Sequence, residues 1–174
     1  INDIQGFDLS IGGTINSGWM NFGAEPKKIE DWQILSAYRN DAAIGTATIN
    51  RYIHEKYRSK DMLTLKDCKV RGTHNLLGTD GIVFGDKVIN VRNQKKPGYN
   101  AQARQQEDGY VANGEVGIVE RIWQKPKDRQ NTHQIVFSSQ PGISYNWPSA
   151  VSEDTNSDLE LAYALTVHKS QGSE

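Results

Sequence analysis

The hydrophobic period of this chain changes twice along its length, and that switch constrains the fold more than any other feature. Trp32-Gln33-Ile34-Leu35-Ser36-Ala37-Tyr38 reads as a short buried strand, and Asn40 and Asp41 mark a loop. Gly45-Thr46 then introduces a helix through roughly Arg58, with Thr46 as its N-cap. Ile49, Tyr52, Ile53 and Tyr57 recur at the spacing of one helical face. Strand, loop and amphipathic helix are half of a βαβ unit. From about residue 64 to 148 the chain reads instead as short strands and turns. Strands are expected over 85–93, 115–123, 133–137 and 143–147, with Asn113-Gly114 a turn signal. The polar, Gln-rich stretch 94–110 reads as a long, mobile hairpin connection, and this spacing of strands suggests a small β-barrel. After a polar return over 149–158, an apolar strand follows over 159–167. The expectation is an α/β unit over 29–79 and 149–174, interrupted by an all-β insertion over 80–148 and preceded by an irregular lead-in over 1–28.

Composition sets the outer limits. Apolar residues make up 36% of the 174, enough for a core, and no window approaches the roughly 18 apolar residues of a membrane span. No signal peptide is visible. The single cysteine, Cys68, excludes an internal disulfide and suits a reducing cytoplasm. His54, His74, His133 and His168 lack metal-ligand spacing, so no metal site is expected. Net charge is −1, with a mildly basic middle (+3 over 85–137) and an acidic end (−4 over 138–174). Bulk electrostatics therefore do not announce a nucleic-acid binder, although a local basic groove is possible.

The most specific string is the last one, Thr166-Val167-His168-Lys169-Ser170-Gln171-Gly172-Ser173-Glu174, which follows the apolar run Leu159–Leu165. A parallel strand delivers such residues to the ligand-facing edge of its sheet. Gly172 lets backbone approach a phosphate, and Ser170 and Ser173 can bind phosphate oxygens beside the free N–H groups of a helical turn. Thr166 and His168 can donate to a nucleic-acid backbone, and Glu174 can accept from a ribose hydroxyl.

This string resembles motif V of superfamily 1 DNA helicases, particularly the RecD-like branch (exonuclease V alpha-subunit type). Gln33–Arg39 with the helix after it resembles the family's motif IV region. Gly85–Ile89 with Arg92-Asn93, and Val111–Gly117, resemble the opening strands of its inserted barrel. The likeness covers roughly residues 32–174. It implies part of a RecA-like P-loop NTPase second motor domain (2A) interrupted by an all-β SH3-like barrel (2B). Arg39 would be the catalytic residue reaching the γ-phosphate of ATP, a task suited to a long, always-charged side chain. Gly172 and Glu174 would face the nucleotide. Thr166, His168, Lys169, Lys87 and Arg92 would contact nucleic acid, with Lys95 and Lys96 beside the last two.

No Gly-x-x-x-x-Gly-Lys-Ser/Thr and no magnesium-holding Asp-Glu pair occurs in the chain. Beginning at Ile1 and ending on Glu174, it is expected to be an excised piece of a larger motor. ATP and Mg2+ would serve the parent, with none bound to the piece alone. The implied partners are single-stranded DNA, an N-terminal motor domain of the same protein and, at family level, nuclease subunits; no membrane partner is expected. Two other readings stand beside this one. The first is a stand-alone β-barrel module that binds nucleic acid or a peptide without ATP. The second is another motor of the superfamily, such as the helicase half of a conjugative relaxase.

Overall fold

A computed structural model describes residues 29–30, 33–67, 77–78, 80–124, 131–149 and 158–170. Strand dominates. The described elements are β1 (Ile34–Ser36), α1 (Thr46–Asp67), β2 (Lys87–Asn90), β3 (Gln94–Asn100), β4 (Gln105–Val111), β5 (Val116–Gln124), β6 (Asn131–Phe137), β7 (Ile143–Pro148), β8 (Leu159–Leu161), β9 (Ala164–Thr166) and the single turn α2 (Val167–Ser170). Seven of the strands form one sheet in the order β4-β3-β7-β6-β5-β2-β8, and every neighbouring pair in it is antiparallel. Among the described residues, only β1 and β9 pair in parallel, as a separate two-stranded sheet with Ser36 opposite Thr166.

This corrects the expected fold class. The molecule is not a RecA-like α/β domain with a β insertion; its described residues are mostly β, with the long helix α1 and a parallel strand pair attached. The misleading signal was the apolar run 159–167, which reads as one buried strand. Its first half, β8, joins the antiparallel sheet beside β2. The chain then turns at Ala162-Tyr163, and β9 joins β1. A strand that switches sheets at a corner keeps an apolar sequence throughout, because both halves are buried. Polar side chains hold the corner. Asn50 Nδ2 donates to the carbonyls of Leu161 (2.9 Å) and Ala164 (3.0 Å), and its Oδ1 accepts from Ala164 N–H at 2.7 Å. Gln33 Nε2 donates to the carbonyls of Ala162 and Tyr163 at 3.1 and 2.9 Å.

The stretch 94–110 is also corrected. It is a regular hairpin, β3–β4, paired from Gln94↔Val111 to Asn100↔Gln105. Its inward face carries glycine where an apolar side chain would normally sit. A Cβ on Gly98 would lie 2.4 Å from Ile143 Cγ2, and one on Gly109 would lie 2.5 Å from the Tyr145 hydroxyl. The Tyr145 ring, fully buried, fills that space from β7 and packs with Phe137 and Trp147 at ring distances of 5.9 and 6.4 Å. Asn90 Nδ2 donates to the carbonyls of Ala112 (2.7 Å) and Val111 (3.3 Å), which brings the end of edge strand β4 to β2 and curls the sheet around this core.

Helix α1 runs past the expected end at Arg58; of the expected face, Ile49, Ile53 and Tyr57 pack against the core and Tyr52 does not. Ile49, Ile53, Asn50, His54 and Arg58 are buried, whereas Tyr52 is exposed. His54 and Arg58 meet Asp86, which is itself fully buried. Asp86 Oδ2 lies 2.9 Å from His54 Nε2 and accepts from Val83 N–H at 2.7 Å; Oδ1 accepts from the Tyr163 hydroxyl at 2.6 Å and lies 3.5 Å from Arg58 Nε. Arg58 Nη2 also donates to the Gly85 carbonyl at 2.5 Å. Burial, then the charge of Asp86, raises the Tyr163 hydroxyl well above its ordinary pKa, so it stays a donor. Asp86 thus ties the helix, the sheet and the residue preceding β9 into one unit.

Candidate functional site

β1 and β9 end side by side, so the segments that follow them start from one rim. The loop after β1 is folded tightly. The Ser36 hydroxyl donates to the Ile44 carbonyl at 2.6 Å, and Asp41 Oδ1 accepts from Ala43 and Ile44 N–H at 2.8 and 2.9 Å. Those bonds, from Ile44 and then Ala43, hold the Asp41 carboxyl below its ordinary pKa. The first helical residues complete the loop: Thr46 and Ala47 N–H donate to the carbonyls of Tyr38 and Arg39 at 3.0 and 3.1 Å. Thr46 therefore begins the helix rather than capping it. Arg39 is fixed through its backbone, and its guanidinium is left to reach across the rim.

It reaches Glu160. Leu159 and Leu161 on β8 are buried, and the alternation of a strand turns Glu160 the other way, into a cleft. Arg39 Nη2 lies 2.8 Å from Glu160 Oε1, and Lys169 Nζ on α2 lies 2.8 Å from Glu160 Oε2. The three side chains are 54%, 27% and 32% exposed for Arg39, Lys169 and Glu160. Partial burial works to raise the Glu160 pKa, but the hydrogen bonds and charges of Lys169 and Arg39 outweigh it and hold the carboxyl below its ordinary value.

The cleft has a volume of about 500 Å³ and runs between the start of α1 and the β8 edge, with Arg39, Asn50, Asp80, Arg92, Asp158 and Glu160 among its lining residues. A smaller hollow of about 20 Å³ shares Arg39, Asn50 and Glu160 and extends to Thr166 and Lys169. Arg92, on the far wall, is 75% exposed and only 4.0 Å from Asp158. Cations and carboxylates balance around this space, so its recognition must come from placed groups rather than from a strong basic field. Among the described residues, no group of three or more His, Cys, Asp or Glu side chains is placed to hold a metal ion.

The structure brings together Arg39, Thr166 and Lys169, with Arg92 across the cleft. Thr166 Oγ1 accepts from Lys169 N–H at 3.4 Å. His168 is exposed on α2 outside the cleft lining. Lys87 is a correction: it is 1% exposed on β2, and burial lowers its pKa to about 8 against the charge of Glu30, so its ammonium is not presented to a nucleic-acid backbone. Gly172 and Glu174, with Ser173, lie outside the described residues. Sequence reasoning missed Glu160. The available signal for Glu160 was a lone carboxylate in the apolar run Leu159–Leu165.

No family model matches the chain. No solved structure matches it. An uncharacterized protein of Methanocaldococcus jannaschii, MJ1519, is 30% identical over 151 residues, which cover 81% of this chain. The chain spans 11% of the length of that curated relative. Among the described residues, no helix is long and apolar enough to cross a membrane.

Proposed function

We propose that this chain is a segment of an ATP-driven, single-strand DNA translocase, and that the Arg39–Glu160–Lys169 rim is the wall it contributes to a phosphate-binding site. One observation carries the reading. Arg39 and Lys169 come from distant parts of the sequence, yet both reach one carboxylate beside the ends of two parallel strands, the position where open parallel sheets receive ligands. The motif-V-like string that supplies Thr166 and Lys169 supports it independently. Two cations, one of them a guanidinium, fit a phosphate group. ATP bound there would supply the phosphoryl group, with Mg2+ held by carboxylates elsewhere in a longer protein. What this chain adds is positive charge, positioned by the Ser36 and Asp41 loop and by α2.

The test is steady-state ATP turnover by the longer protein that contains this segment, with and without a single-stranded oligonucleotide. Arg39→Ala is expected to lower turnover by about tenfold or more, as loss of a phosphate-binding arginine does. Thr166→Val is expected mainly to reduce stimulation by the oligonucleotide. Wild-type rates and stimulation in both variants would end the reading.

A second reading has its own observation. Lys95 and Tyr99 lie on the outward face of β3, and Tyr110 stands opposite Lys95; the tyrosines are 43% and 50% exposed. Exposed aromatics beside a lysine form a stacking surface for bases. A nucleic-acid-binding β domain without ATP coupling would use that face. Fluorescence anisotropy separates the two: the translocase segment alone should bind a labelled oligonucleotide weakly and with strong salt dependence, because its net charge is −1. Tight, salt-insensitive binding would favour the second.

A further inference from the structure

We infer that Glu160 is an internal competitor for the phosphate site, a carboxylate that occupies the place of a nucleoside triphosphate's phosphate between Arg39 and Lys169 until the ligand displaces it. The inference rests on the phosphate-site reading above and adds its regulation.

The geometry carries it. Each carboxylate oxygen takes one cation, both at 2.8 Å. The span of the two oxygens of a carboxylate is close to one edge of a phosphate tetrahedron. Cations spaced to grip one oxygen each are therefore spaced to grip two oxygens of a phosphate. Among the described residues, Glu160 is the one carboxylate in ion-pair contact with either cation. Its backbone is fixed by pairing with Ile89, so exchange requires only rotation of the side chain. The adjoining cleft of about 500 Å³ has room for the carboxylate when it leaves. A polyphosphate brings more negative charge than one carboxylate and so wins the cations when its concentration is high. At low concentration the internal pair keeps the site closed to weaker anions. The depressed Glu160 pKa has the same cause: both cations stabilise its ionised form.

The experiment is calorimetric titration of the purified chain with sodium tripolyphosphate at low ionic strength. Glu160→Gln removes the competing charge but keeps the side-chain shape, and should bind about tenfold more tightly than wild type, the scale of one unit charge at contact distance. Adding Lys169→Ala to Glu160→Gln should abolish the gain. In the wild-type chain, the Glu160 pKa read by carboxyl carbon NMR should rise on saturation, because the cations have turned to the ligand. If Glu160→Gln binds no tighter, the competitor role is overturned, even if Arg39→Ala and Lys169→Ala each weaken binding and so preserve the phosphate site. If Glu160→Gln does not fold, the wild-type titration decides, and a Glu160 pKa unchanged by saturation overturns the role. A single-stranded oligonucleotide lacking terminal phosphates that gains more from Glu160→Gln than tripolyphosphate does would also overturn the assignment to a triphosphate.

Discussion

Asp86 and Glu160 are both carboxylates that meet positively charged side chains, but they sit in opposite surroundings. Asp86 is sealed, with His54, Arg58, the Tyr163 hydroxyl and Val83 N–H around it. Glu160 faces a cleft, about one-third exposed, with two long, partly exposed cations as its partners. Their energetic roles differ accordingly. In the sealed cluster, losing one partner leaves buried polar groups with no water to replace it, so the cost is large. In the open cluster, water replaces a lost partner, so the pair adds little stability and is free to exchange. The sealed cluster therefore builds the molecule, joining α1 and β9 to the curled sheet, and the open one is available to a ligand.

That contrast can be broken in three ways. The largest expected effect is Asp86→Ala, which removes the carboxylate shared by His54, Arg58, the Tyr163 hydroxyl and Val83 N–H in the interior. It should cost about 3–5 kcal/mol in chemical denaturation, or prevent folding. A cost under about 1 kcal/mol would show that the cluster is not the joint between helix and sheet.

The next is pH. His133 is fully buried on β6, and burial lowers its pKa from 6.5 to about 4. Between those values the unfolded chain binds a proton that the folded chain refuses. Stability should therefore be fully present above about 6.5 and fall as pH drops toward 4, by roughly 3 kcal/mol at most. His133→Leu should flatten that part of the profile. The smallest effect belongs to the open cluster: Glu160→Gln should change stability by less than about 1 kcal/mol at neutral pH. Its contribution has its own pH window. Because the folded pKa is depressed, that contribution is present above the ordinary value of 4.5 and lost as pH falls through the lower folded value.

The comparison also explains what the sequence discloses. The strands at 116–124, 131–137 and 143–148 and the helix from 46 were legible because their apolar residues follow strand or helix periods. The β3–β4 hairpin was not, because its inward positions carry Gly98, Gly109 and polar residues more than apolar ones, and its aromatic filling, Tyr145, belongs to another strand. The polar part of the buried face of α1 was not legible, because Asn50, His54 and Arg58 are polar and their partners lie far along the chain. The fold class failed where a single apolar run served two sheets. At the rim, Arg39, Thr166 and Lys169 were singled out by local strings. Glu160 escaped notice because its meaning depends on two cations brought to it by the fold.

The most direct test of the open-versus-sealed account is a backbone and side-chain NMR titration of the chain with tripolyphosphate. The account predicts the largest shifts at Arg39, Glu160, Thr166 and Lys169, with Val83, Asp86 and Tyr163 unmoved. Shifts centred instead on Tyr99 and Tyr110, or a saturating titration that leaves Arg39 and Lys169 unchanged, would contradict it.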